Sequence, residues 1–207
     1  MPTLTDIVDR VTAWTAENIC AKVKLKAPPD DLEAADGPGY EYNLVTPACF
    51  PLFVPGKEKL PPNVAAPIPS ICVRIVDGED GRQTGSVNME LWFSTWNLGI
   101  HGQDIFKPVV GEEKTYRAWT GEETKEYYRR SSDGWRDVWN WIDTALRELE
   151  SVASIDGLPI DREQGIKYGP AKEDGGIVDY YPFWFGYIGF TLNRPIVRNV
   201  KEYDEFL

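Results

Sequence analysis

The stretch that most constrains this chain is residues 132–152, SDGWRDVWNWIDTALRELESV. Its apolar residues, Trp135, Val138, Trp139, Ile142, Ala145, Leu146, Leu149 and Val152, recur at steps of three and four, the spacing of one helical face. No proline interrupts the run. Ser132 or Asp133 can cap its start by accepting from the free amides of the first turn. Arg136, Asp137, Asn140, Asp143, Arg147, Glu148 and Glu150 form the opposite, solvated face. A helix with one wet and one dry side must lie on something, most simply a sheet. The pattern assigns Trp135 and Trp139 to the core and Trp141 to the flank of the stripe.

The strands for that sheet are legible on either side. In ICVRIVD (71–77), Ile71, Val73 and Ile75 share a face; in SVNMELWFSTW (86–96), Val87, Met89, Leu91 and Phe93 do. GEDGRQTG between them reads as a turn-rich bridge, so the two strands form an antiparallel hairpin. Near the end, DYYPFWFGYIGFTLNRP (179–195) is apolar on both faces, which suits a central strand or one packed against both helix and partner. Shorter strands are expected at 158–161 and 165–168, with a turn at 174–176. An N-terminal helix capped by Thr3 or Thr5 has Ile7, Val8, Val11, Trp14, Asn18 and Ile19 as its inner face. After it, Val23 and Leu25 alternate with Lys22, Lys24 and Lys26, which suits a short, charged edge strand. Residues 30–69 are proline-rich and irregular, with a possible strand at 40–45 and an extended apolar piece, ACFPLFVPG. The expected fold is therefore α/β of the α+β kind: a small, mostly antiparallel sheet with two main helices packed on one face. A chain of 207 residues supports a single domain, 1–207, with long loops at about 30–69 and 99–130.

Composition narrows the function. The chain carries 33 acidic and 22 basic residues, a formal charge of −11, so its overall field opposes tight binding of nucleic acid. Cys20, Cys49 and Cys72 have no zinc-ligand spacing, and His101 is the one histidine. The three thiols are expected free, in a protein made without export, as no basic segment with an apolar run opens the sequence. No apolar run approaches the ~20 residues of a membrane span. No nucleophile motif, phosphate cradle or calcium loop is evident. Adjacent acids such as Glu112–Glu113 are what chance provides in so acidic a chain. No catalytic residue, cofactor or metal is assigned, and the chain is read as not being an enzyme.

Three local patterns, in this order, carry a resemblance. PSICVRIVDGED (69–80) leads into the hairpin, DGWRDVWNWID (133–143) opens the helix, and YPFWFGYI is followed by Asn193-Arg194-Pro195. With the N-terminal helix and the proline-rich segment, this order resembles the tail terminator proteins of long-tailed phages and prophages, also called minor tail or tail completion proteins. The resemblance covers about 3–195, and the chain departs from it at 99–130, where a shorter link is expected. It implies a structural virion protein that forms a hexameric ring on the head-proximal end of a tail tube. Such a ring stops tube polymerisation and presents the head-joining surface. Implied partners are other copies of the chain, the tail tube protein and head-tail connector proteins. DNA passes through the lumen unbound, and no membrane is involved. The implied location is the virion tail, assembled in the host bacterial cytoplasm. Two other classes stay open: another head-tail connector or neck protein, or a soluble enzyme with an unrecognised site.

Within this reading the 99–130 segment is the candidate assembly interface. A link of about 30 residues is longer than most connections. Its aromatics, Phe106, Tyr116, Trp119, Tyr127 and Tyr128, are the residue types that anchor interfaces once desolvated.

Overall fold

The computed structural model describes residues 2–30, 43–81, 84–99, 106–109, 111, 116–118, 120–122, 134–178 and 180–195. Helix α1 (Leu4–Asn18) opens with a reciprocal cap. Asp6 N donates to Thr3 Oγ1 at 3.1 Å and Thr3 N to Asp6 Oδ2 at 2.8 Å. That satisfies two amides the first turn otherwise leaves without partners. Ile7, Val8, Val11 and Thr15 are its buried face, with Trp14 half-buried beside them.

A five-stranded sheet receives it. Its strands are β3 (Ala48–Pro51), β4 (Ser70–Asp80), β5 (Thr84–Trp96), β10 (Lys167–Pro170) and β13 (Phe183–Pro195), in the order β10-β13-β5-β4-β3. Strands β4 and β5 make the expected hairpin, but it is longer than the pattern indicated. Asp77 to Asp80 pair with Asn88 to Gly85, so most of the supposed bridge is ladder. The register shifts between Ile75 and Asp77, which leaves Val76 exposed on a bulge. Strand β13 pairs antiparallel with β5 along its whole length, Phe183↔Trp96 to Pro195↔Thr84, and β10 pairs on its other side. It is thus a central strand, one of the two positions its composition allows. The edge strand β3 lies parallel to β4, through Cys49↔Ile71 and Phe50↔Cys72. The lysine-rich segment reduces to β1 (Leu25–Lys26) paired with β2 (Leu44–Val45). Hairpins β8 (Ser154–Ile155) with β9 (Leu158–Pro159), and β11 (Lys172–Glu173) with β12 (Gly176–Ile177), complete the region before β13.

Helix α2 (Trp135–Ser151) crosses one face of this sheet. A Cβ at Gly186 of β13 would lie 2.7 Å from Ile142 Cδ1 and 3.2 Å from Gly169 O, so only glycine lets helix and strand approach this closely. The core is one cluster joining Ile7 and Val11 of α1, Ile71 and Val73 of β4, Leu91 and Phe93 of β5, Ile188 of β13 and Ile142 of α2. Both helices therefore share a face, and the fold is mixed α/β with a mostly antiparallel sheet.

The dry side of α2 is the assigned stripe rolled toward Trp141, so the expected places of the tryptophans are corrected. Val138, Trp141, Ile142, Ala145 and Leu149 are buried; Trp139 is half-buried and Trp135 is 41 % exposed. Trp141 meets Phe93 edge to face, with ring centroids 5.1 Å apart. At about 100° per residue, Trp139 and Trp141 point about 160° apart around the helix, so both cannot occupy the middle of the buried stripe. The stripe is wide, and contact with the sheet selects its Trp141 flank. The expected caps Ser132 and Asp133 lie outside the described residues. Gly134 holds the N-cap position and makes no side-chain capping bond. Cys20, Cys49 and Cys72 are free, as expected.

Candidate interaction surface

Strand β5 ends in a buried asparagine that ties several elements together. Asn97 Oδ1 accepts from Lys26 Nζ at 3.0 Å and from Gly99 N at 2.9 Å. Its Nδ2 donates to Asp137 Oδ2 in the first turn of α2 at 2.6 Å. Its carbonyl oxygen accepts from the Trp184 indole at 2.8 Å, and Tyr181 Oη donates to the next carbonyl, Leu98 O, at 2.8 Å. Gly134 lies against this knot: a Cβ there would be 2.1 Å from Asn97 O and 2.6 Å from Trp184 Nε1. Burial of Asp137 pushes its carboxyl above the usual range, and the Asn97 bond and the Lys26 charge act in the opposite sense. The two ends of the long 99–134 connection are thereby clamped together.

On the outer side of the clamp lies an open groove of about 740 Å³, lined largely by aromatic and aliphatic side chains. Trp135, Val138 and Trp139 of α2 form one wall; Trp184 and Phe185 of β13 form the other; Ile177 and Val178 close the end. The flank of α2 that the sheet does not cover supplies the first wall. The start of β13, beyond its pairing with β10, supplies the second. Tyr181 stacks edge-on to Trp184 with centroids 6.0 Å apart, and Tyr180 to Phe185 at 6.3 Å. Ile177 is 67 % exposed and Tyr181 50 %, so large apolar surface faces solvent here. A patch of this kind is what protein-protein contacts use.

A second recess, of about 240 Å³, opens on the sheet face away from the helices. Thr191 Oγ1 donates to Asn88 Oδ1 at 2.6 Å, and Asn88 Nδ2 donates to Asp77. Its polar groups thus largely satisfy one another. Burial raises the carboxyl of Glu90, opposed by the nearby Arg74 charge, and Arg74 itself lies 4.7 Å over the Trp92 ring. Among the described residues no group of three His, Cys, Asp or Glu side chains could hold a metal, and no helix is long and apolar enough to cross a membrane.

Of the aromatics expected to form the interface, Phe106 and Tyr116 fall on a small hairpin inside the long connection. There β6 (Phe106–Pro108) pairs with β7 (Tyr116–Ala118), Phe106 opposite Ala118 and Pro108 opposite Tyr116. Trp119, Tyr127 and Tyr128 lie outside the described residues. Of the groove-lining residues, Trp135, Trp139 and Ile177 have no binding role in the sequence reading, whereas Trp184 and Phe185 lie on the aromatic strand read as suited to packing against helix and partner. The available signal was the excess of aromatics over what one helical stripe and one strand face can bury. No family model, curated protein or solved structure matches this chain.

Proposed function

We propose that this chain is a structural virion protein that caps the head-proximal end of a phage tail tube as a ring, ending tube polymerisation and offering the head-joining surface. The observation that carries the reading is the aromatic groove at the foot of the long connection, set beside the three family-like motifs. That groove is open, apolar and aromatic, the chemistry of a docking surface. A ring closes by repeated contacts between two unlike faces, so each copy needs more than one such surface. The charge of −11 suits a lumen through which DNA passes without adhering. A mixed α/β domain with a mostly antiparallel sheet and two helices is compatible with this reading.

The test is to make tails with and without this protein and measure their lengths by electron microscopy. Capping predicts overlong or irregular tubes in its absence and uniform, head-competent tails in its presence. Uniform tails made without the protein would remove the terminator role.

A further inference from the structure

At the sheet edge away from the groove, the chain leaves β3 through a bend that holds two large apolar side chains outward. Leu52 is 57 % and Phe53 68 % exposed. Leu52 has φ +63°, the left-handed region that a side chain bearing a Cβ rarely enters. Its amide donates to Val73 O at 2.8 Å, and the next amide, Phe53 N, donates to Pro51 O at 2.7 Å. The bend is therefore tied to the sheet and displays its hydrophobes in a fixed direction. A strained bend tied down to present apolar side chains to water has no use in the fold of a single copy.

We propose that Leu52 and Phe53 of one copy seat in the groove walled by Trp135, Trp139, Trp184 and Phe185 of the next. One surface is convex and the other concave. The knob lies at the β3 edge and the groove beside β13, three strand spacings or about 14 Å apart across the sheet, so a copy cannot fill its own groove. Knob against knob leaves both phenyl rings half-wet, and groove against groove leaves both unfilled. The pairing thus joins two unlike faces: repeated head-to-tail it generates rings or open filaments, and exchanged reciprocally between two copies it closes a dimer. The groove, at about 740 Å³, has room for both side chains. Phe53 entering a tryptophan-walled site has the character of an anchor residue. The contact deepens the ring reading and rests on it for closure, not for the identity of the two faces.

The experiment mixes a Gly56→Cys chain with a Gly176→Cys chain, placing the thiols beside the knob and the groove while leaving Leu52, Phe53 and the groove walls intact, and treats the mixture with a bismaleimide. Both positions are exposed, and circular dichroism checks each variant's fold. The contact predicts covalent dimer in the mixture and only wild-type background in either variant alone. Phe53→Asp in the otherwise native chain should weaken self-association, read by sedimentation, by about 30-fold or more, the size of an anchor loss. Dimer from Gly56→Cys alone would overturn the contact. So would a wild-type chain that associates while the mixture gives no dimer, or one that stays monomeric at every concentration. The double variant separates the two readings. A closed, single-sized product larger than a dimer supports contact and ring, whereas a closed dimer or an open-ended ladder keeps the contact and overturns the ring.

Discussion

Trp141 and Trp139 stand two residues apart and do different work. Trp141 is 1 % exposed and packs on Phe93, so Trp141→Ala should cost about 3–5 kcal/mol through lost burial and a residual cavity. Trp139, half-buried on the groove wall, should cost clearly less on truncation. Equilibrium denaturation of the two variants checks this, and an equal or reversed order would mean that the helix is rolled the other way. Asp137 provides a pH-dependent case. Its raised folded pKa means that the folded chain keeps a proton the unfolded chain has released. Wild type therefore loses stability as pH rises from the ordinary carboxylate range through the raised value, and the loss is complete above it. Asp137→Asn removes that loss, so its stability relative to wild type should climb across the window and then level off. Glu90, shifted in the same direction, is present in both proteins and cancels. Denaturant midpoints measured from pH 4 to pH 8 (a span of roughly the relevant range) would refute the assignment if the two profiles ran parallel. Cys49 is shifted up by its hydrogen bond with Cys20 and by burial, consistent with a structural, slow-reacting thiol.

Among elements, the connection from β5 to α2 is the one whose removal is most informative. Its ends are held by Asn97, Gly99 and Gly134, and the Asn97 knot draws on Lys26, Asp137 and Trp184, all outside the segment. Replacing 102–126 by a short glycine-serine bridge should therefore leave the fold and the denaturation midpoint close to wild type, since shortening a closed loop changes its entropy cost by only about 1 kcal/mol. Circular dichroism and a denaturant titration measure this, and a variant that fails to fold would show that the excised part belongs to the core. Under the proposed function, whether the shortened protein caps tails decides between Phe106, Tyr116 and Trp119 and the groove as the assembly anchor. Retained capping would leave the groove.

For the molecule as a whole, charge opposes assembly. Copies that each carry −11 repel one another, while the proposed knob and groove are apolar. Salt screens the repulsion, to a Debye length of about 8 Å at 0.15 M, and leaves the apolar contact in place. Self-association should thus strengthen from low to physiological ionic strength. Sedimentation velocity across a salt series reads this directly, and association that weakens with salt would point to an interface built on ion pairs.

The spacing of residues along the chain determined what is local. The helix over 135–151, the capping box at Thr3 and Asp6, the alternation in β4 and β5 and the two-sided apolar character of β13 all follow from periods that a short window contains. A wide apolar stripe, however, does not state which of its flanks faces the sheet. Only the meeting of Ile142 with Gly186, and of Gly134 with Asn97, sets the roll of α2, buries Trp141 and leaves Trp135 on the surface. The extension of the hairpin through Gly78 to Asp80 was hidden for a similar reason. Turn-forming residues are tolerated in a strand when a partner strand fixes the register. The parallel placement of β3 and the groove between α2, β12 and β13 bring together residues far apart in sequence. No local pattern records them, because they exist only once the sheet has chosen its neighbours.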